Sequence, residues 1–320
     1  MTGERRLVAA LYAVTLLGVF ALAVSSLTEF DFWWYLKSGE LIVQAGAVPA
    51  SDPFSYTAHG RPWINHMWLT QVLLYGLWTT AGRVALLLVK ALVVTAVFAV
   101  VLRTMRARGI DPILGCAMAL LAAWAGRDFW DVRPQIWTYL LVAVYLWVLR
   151  EGWERRRAPL LWLPLLMVPW ANLHAGFVTG LGLIGLIGVG TALTRFIETG
   201  NRSESEPPSP RPQAEARPWV GRGVGHRPKA VEGWREVSKI LRRAAGLLAV
   251  TTLASLANPF GWRAILFPLE VVNTRAFMIG THEWFSPNFH DPAYRGFEAL
   301  LLLLIPAFAW GRARLSVTDV

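Results

Sequence analysis

The chain has 320 residues, of which 55% are hydrophobic and only 16% charged, where a soluble domain carries roughly 25% charged residues. That balance excludes a water-soluble globular protein and predicts an all-α, polytopic membrane protein. The formal charge of +10 would suggest nucleic acid in a soluble chain, but here Lys and Arg cluster in short connectors between apolar runs, where they set topology, so no nucleic-acid partner is expected.

A helix needs about 20 apolar residues to cross a bilayer. After Glu4, Arg5 and Arg6, residues 7–27 are nearly all apolar and predict a first span. Ala23-Val24-Ser25 loosely imitates a signal-cleavage site, yet the run exceeds the usual signal core of about 7 to 15 residues, which favours an uncleaved helix. Residues 68–80 are apolar but too few to cross, and a crossing there would turn every later Arg cluster outward, so an interfacial helix beneath the first outer loop is expected. Further spans are predicted at 84–102, 113–126, 136–149, 159–170, 176–197, 244–257 and 297–310, several short enough to need their flanks or a tilt. With the N-terminus in the cytoplasm, these eight spans place residues 103–108, 150–157 and 198–243 and the terminal Arg312 and Arg314 there too, satisfying the positive-inside rule at every loop. Three blocks result: a membrane bundle at 1–198 with its first outer loop at 28–82, a flexible cytoplasmic linker at 199–238 rich in Pro, Ser, Glu, Arg and Gly, and membrane helices at 239–320 with an outer loop at 258–295.

Some motifs dissolve on inspection. Gly180-Leu181-Gly182-Leu183-Ile184-Gly185 matches a dinucleotide fingerprint by letter but lies in an apolar run with no preceding strand. Gly176 and Gly180 instead form a small-xxx-small pair that lets two membrane helices approach closely. Cys116 is the single cysteine, so no disulfide framework or cysteine metal cluster is available, and His59 and His66 lack zinc-ligand spacing.

The chemistry-bearing residues fall in the connectors on the other side. The first outer loop opens with Asp31 among Phe30, Phe32, Trp33, Trp34 and Tyr35, followed by Lys37; an anion bordering low-dielectric surroundings is a candidate general base, and an interfacial aromatic belt is the competing reading. Asp52 before Pro53 suits a turn, His59 and His66 follow, and Asn65 suits a helix N-cap. The second outer loop carries Arg127 and Arg133 with Gln135; these arginines could grip a phosphate in bidentate fashion or pair with Asp128 and Asp131. Asn172 and His174 occupy an apolar stretch at the outer end of a span, where polar groups are costly and paired or functional. The fourth outer loop adds His282 and Glu283, and its length favours a packed lid or substrate platform. Lys90, inside the second span, is expected to snorkel outward, with a phosphate-facing role as the alternative.

Four stretches carry a family resemblance: Asp31-Phe-Trp-Trp-Tyr-Leu-Lys-Ser-Gly39-Glu-Leu-Ile, Val48-Pro-Ala-Ser-Asp52-Pro-Phe-Ser-Tyr56, Arg133-Pro-Gln135 and Trp170-Ala-Asn-Leu-His174-Ala-Gly-Phe177. Together they resemble bacterial multi-span proteins related to the GT-C glycosyltransferases, including protein mannosyltransferases and lipid A aminoarabinose transferases. The resemblance implies transfer of a sugar from a polyprenyl-phosphate carrier at the outer face of the bacterial cytoplasmic membrane. It makes Asp31 the catalytic residue, and Trp34, Lys37, Asp52, His59, His66, Arg127, Arg133, Gln135, Asn172, His174, His282 and Glu283 the substrate-binding candidates. No cofactor is expected, and with only Glu29 near Asp31 a metal-dependent mechanism is unsupported, although a divalent metal stays open. Family members usually continue beyond residue 320, so a C-terminally shortened member with a membrane-protein partner is expected. A non-catalytic carrier-binding, transporter or assembly component is the alternative function.

Overall fold

The computed structural model describes residues 3–25, 27, 30–153, 159–204, 229–273 and 287–310. Those residues form helices and connecting turns without strands, apart from a single antiparallel bridge between Ser51 and Pro62. The helices are α1 (Gly3–Ala23), α2 (Phe32–Ala45), α3 (Trp68–Ala107), α4 (Pro112–Gly126), α5 (Gln135–Trp153), α6 (Trp162–Leu173), α7 (Phe177–Glu204), α8 (Lys229–Ser255), α9 (Arg263–Asn273) and α10 (Arg295–Trp310), with short 3₁₀ turns at Arg127–Phe129 and Pro292–Tyr294. By length and composition, three of the described helices can cross a membrane: Gly3–Ala23, Trp68–Ala107 and Phe177–Thr199. The sequence count of eight is therefore not reached. The apolar helices α4 and α6, of 15 and 12 residues, are shorter than a bilayer core requires. Large apolar side chains such as Leu7, Val14, Leu17, Ile113 and Leu165 point outward, more than half exposed, as suits a lipid-facing surface.

Helix α3 consists of two helices joined at Gly82, whose φ of 68° and ψ of −165° only glycine tolerates. Residues 68–81 extend about 21 Å at 1.5 Å per residue, short of the ~30 Å hydrocarbon core. The expected break between an outer helix and the second span is thus present, and Gly82 makes it.

Two compact units divide the chain: residues 1–181 with 251–312, and residues 182–250 with 313–320. In the second, Phe196 of α7 meets Trp234 of α8 at a ring distance of 5.1 Å. The described parts of the expected linker, 199–204 and 229–238, are helical, while residues 205–228 lie outside the described residues.

In the first unit, cross-helix contacts fix the directions. Lys90 of α3 bonds Ser25 just beyond α1, while Arg106 at the far end of α3 lies over the Tyr12 ring, so α1 and the second half of α3 run antiparallel. Arg103 stacks on Trp147 of α5, bringing Arg150 to the same end as Arg103 and Arg106. The Tyr145 hydroxyl donates to the Leu163 carbonyl and Trp170 bonds Thr138, making α5 and α6 antiparallel. One end of this unit is accordingly arginine-rich. The other gathers Ser25, Asp31, the 127–135 loop and the α6–α7 junction.

Lipid tails give little drive for apolar helices to associate, so close approach and interhelical hydrogen bonds must hold such a bundle. Both occur here. A Cβ on Gly39 would stand 2.2 Å from the Gln71 carbonyl oxygen, so α2 lies directly against the backbone of α3. A Cβ on Gly180 would stand 2.6 Å from the Trp170 ring, and one on Gly176 would stand 2.4 Å from Thr138 Oγ1, which matches the small-xxx-small reading.

Candidate functional site

Helix α2 starts directly after Asp31, which is exposed and accepts a long hydrogen bond of 3.5 Å from the Tyr35 hydroxyl one turn later. Beneath it Phe32, fully buried, packs with Tyr35, Leu36, Leu74, Leu86 and Val132, so the second outer loop is drawn against the helix that carries Asp31. Trp34 meets Tyr35, Phe54 and Trp63, forming an aromatic wall from the first outer loop alone. Lys37 turns to Glu40 at 2.8 Å with its side chain 55% exposed.

Asp52 behaves as its turn chemistry predicts. Its Oδ1 accepts from the backbone N–H groups of Phe54 and Ser55, and the Ser55 hydroxyl and these amides hold its carboxyl below the usual range. Together with the 51–62 bridge this makes a small excursion with His59 exposed at its tip. Arg127 pairs with its neighbour Asp128 at 3.5 Å, both about half exposed. Arg133 sits in the turn before α5, its N–H donating to the Asp131 carbonyl.

Two expectations are corrected. Lys90 does not snorkel: it is 1% exposed, and Nζ donates to Ser25 Oγ at 2.7 Å and to the Ser25 carbonyl at 3.3 Å, with Asp131 as the carboxylate acting on it. A hydroxyl within reach inside the protein satisfies the ammonium that would otherwise seek the interface. Asn65 does not use its side chain as an N-cap; its Nδ2 donates to Gln71 Oε1 at 2.7 Å in a buried pair, and Met67 holds the N-cap position without a side-chain bond.

The main convergence lies where α3, α5 and α6 meet. His66 and His174 face each other with ring centroids 6.1 Å apart, and His66 stacks on Phe267 of α9 at 4.6 Å. His174 Nδ1 lies 2.9 Å from Thr138 Oγ1 and accepts the Gly176 backbone N–H at 3.1 Å. Trp170 Nε1 donates to Thr138 Oγ1 at 3.0 Å, which directs the hydroxyl hydrogen of Thr138 to His174. Because a backbone N–H can only donate, His174 Nδ1 is an acceptor, and the ring carries its proton on Nε2. Burial pulls His66 down to about 4, and burial together with its neighbour His66 pulls His174 down to about 3, so both rings are neutral near pH 7.

Asn172 acts as a brace. Its Nδ2 hydrogens go to the carbonyls of Val168 and Ala257, and its Oδ1 accepts from Trp68 Nε1 at 2.8 Å. Thr70 adds a 2.7 Å bond to the Leu173 carbonyl. Gln135 opens α5 one turn before Thr138, its Oε1 buried and without a partner.

The structure therefore brings His66, His174 and Asn172 to one junction, with Gln135 a helical turn from Thr138, while Trp34, Lys37, Asp52, His59 and Arg127 take local roles. His282 and Glu283 lie outside the described residues. Thr138, Gln71 and Asn65 belong to this junction although the sequence did not mark them as site residues. Their signal was present as polar residues in or beside apolar runs. Among the described residues no group of three His, Cys, Asp or Glu side chains is placed to hold a metal ion. No family model, curated protein or solved structure matches the chain.

Proposed function

We propose that the chain is a GT-C-like membrane glycosyltransferase that moves a sugar from a polyprenyl-phosphate donor to an acceptor at the outer face of the bacterial cytoplasmic membrane. Eight spans with both termini in the cytoplasm belong to this reading, the shorter helices crossing with their flanking residues and by local thinning of the bilayer. The observation that carries it is the sorting of the first unit into two ends: Arg103, Arg106 and Arg150 at one, and Asp31, Lys90, His66 and His174 at the other. Arginine-rich ends stay in the cytoplasm, so the polar end faces outward, where lipid-linked sugars are consumed.

Asp31 acts as general base on the acceptor. Its exposed carboxylate at the start of α2 has access to an incoming hydroxyl, and the rigid seat of Phe32 beneath it fixes its position. Transfer leaves negative charge on the carrier phosphate, to which the guanidinium groups of Arg133 and Arg127 offer positive charge. The half-buried Trp34 with Phe54 and Trp63 offers flat apolar faces to sugar or isoprenoid. Membrane fractions expressing Asp31→Asn should lose transfer from a radiolabelled polyprenyl-phosphate sugar while keeping wild-type abundance and insertion. Wild-type transfer by that variant would remove Asp31 from its role.

A further inference from the structure

The junction of α3, α5 and α6 holds more hydrogen-bonding capacity than it spends. Asn65 Oδ1, His66 Nδ1, Gln71 Nε2 and Gln135 Oε1 are each buried and without a partner. Asn65 and Gln71 are 1% and 0% exposed and bonded to each other; His66, next in sequence to Asn65, faces His174, which Thr138 ties to the α5 turn that carries Gln135. A buried polar atom left without a bond costs about 1–3 kcal/mol, and folded proteins keep few of them. Here four lie on the segments that meet at the His66–His174 pair, and we call that junction the seam.

Their types define what would satisfy them. The Asn65 and Gln135 oxygens only accept, Gln71 Nε2 only donates, and His66 Nδ1 takes either role with the tautomer. Exchanging oxygen for nitrogen in both members of the Asn65–Gln71 pair still leaves one donor and one acceptor. A phosphate oxyanion offers only acceptors and would meet amide oxygens that cannot bond it. The groups touching the imidazoles are a hydroxyl, a backbone N–H, the Ile64 backbone carbonyl, a phenyl ring and each other, so no positive charge reaches an anion through them. A hydroxyl both donates and accepts, and several on one ring match a mixed set.

We propose that this seam is a subsite for the uncharged, hydroxyl-bearing sugar ring of the lipid-linked substrate, with Asn65, Gln71, Gln135 and His66 as its hydrogen-bonding groups. The inference rests on the transferase reading above and gives it a division of labour: the sugar is held at the seam, the phosphate elsewhere. His66 and Gln135 are half-buried, whereas Asn65 and Gln71 are fully buried.

The test uses the full chain in lipid nanodiscs, titrated with an alkyl glucoside and separately with an alkyl phosphate of equal chain length, both below their micelle-forming concentrations. Tryptophan fluorescence and the thermal midpoint are read together. The wild type should bind the glucoside, and Gln135→Leu should weaken it about tenfold, the equivalent of one well-placed hydrogen bond, while leaving unchanged the affinity for the phosphate, which binds at the arginine loop. No response of the wild type to the glucoside, or displacement of the bound glucoside by the phosphate, overturns the proposal, and neither reading needs a variant to fold. An unchanged glucoside affinity in a folded Gln135→Leu protein overturns it as well. The two readings separate through Asp31→Asn: glucoside binding with transfer retained in that variant sinks the base and spares the subsite, whereas loss of transfer in that variant with no glucoside binding by the wild type does the reverse.

Discussion

Replacing Gly39 by Ala tests whether direct backbone contact between α2 and α3 organises the end of the first unit that carries Asp31. The added Cβ would sit 2.2 Å from the Gln71 carbonyl oxygen, 2.8 Å from its carbonyl carbon and 2.8 Å from Tyr75 Cβ. Ordinary contact needs at least 3.4 Å, so the helices must separate by roughly 1 Å, and the obstacle is backbone that no rotamer change can move. Overpacking of this kind costs about 1–3 kcal/mol, and an unyielding backbone puts it near the top of that range. Against it stands the higher helix propensity of Ala, worth about 1 kcal/mol. The net expectation is destabilisation by about 2 kcal/mol. Gly76, inside α3 with open space where its Cβ would lie, is the matched control: Gly76→Ala has the propensity gain and no clash, and should be stabilised by up to about 1 kcal/mol. Both variants are compared with wild type by thermal unfolding in one detergent, following tryptophan fluorescence. If Gly39→Ala proves as stable as Gly76→Ala, α2 is not seated on α3 as described, and the placement of Asp31 falls with it.

Two further outcomes follow from the histidine network. Thr138→Val removes the acceptor of the fully buried Trp170 N–H and should cost about 1–3 kcal/mol, while Thr138→Ser keeps the hydroxyl and should lie closer to wild type in the same unfolding assay; equal stability of the two variants would refute the bonding scheme. Burial lowers His66 to about 4 and His174 to about 3, below the ordinary value near 6.5, so in that interval the unfolded chain binds more protons than the folded one. Stability should therefore be unaffected by these rings above about pH 6.5 and should fall as pH drops from there toward 4, with up to about two protons taken up on unfolding. In His66→Phe the pH dependence should shrink by about one proton, and a slope identical to wild type would contradict the buried neutral pair.

Several features were legible in the residues themselves. The apolar runs predicted an all-helical membrane protein, the short run at 68–80 marked a helix separate from the next span, and the Gly176 and Gly180 spacing announced a close helix contact. Each is a local property: hydropathy, run length and residue size act along one helix and need no knowledge of its neighbour. The connectors likewise sorted into arginine-rich and polar sets before any contact was known.

Only the tertiary structure decided which polar groups meet and which are consumed. Asn172 is a substrate-binding candidate in sequence, yet one amide hydrogen goes to the Val168 carbonyl of its own helix, the other joins α6 to Ala257, and its oxygen takes the Trp68 indole N–H. Lys90 turned inward because Ser25, 65 residues away, lies within hydrogen-bond reach. Thr138 anchors His174 because α5 and α6 run antiparallel, and His66 meets His174 because Trp68 and Thr70 bond the end of α6. A hydrogen bond depends on distances set by the packing of segments remote in sequence, whereas hydropathy depends on composition alone, and for that reason composition marked helices long and apolar enough to cross a membrane while packing settled the polar contacts.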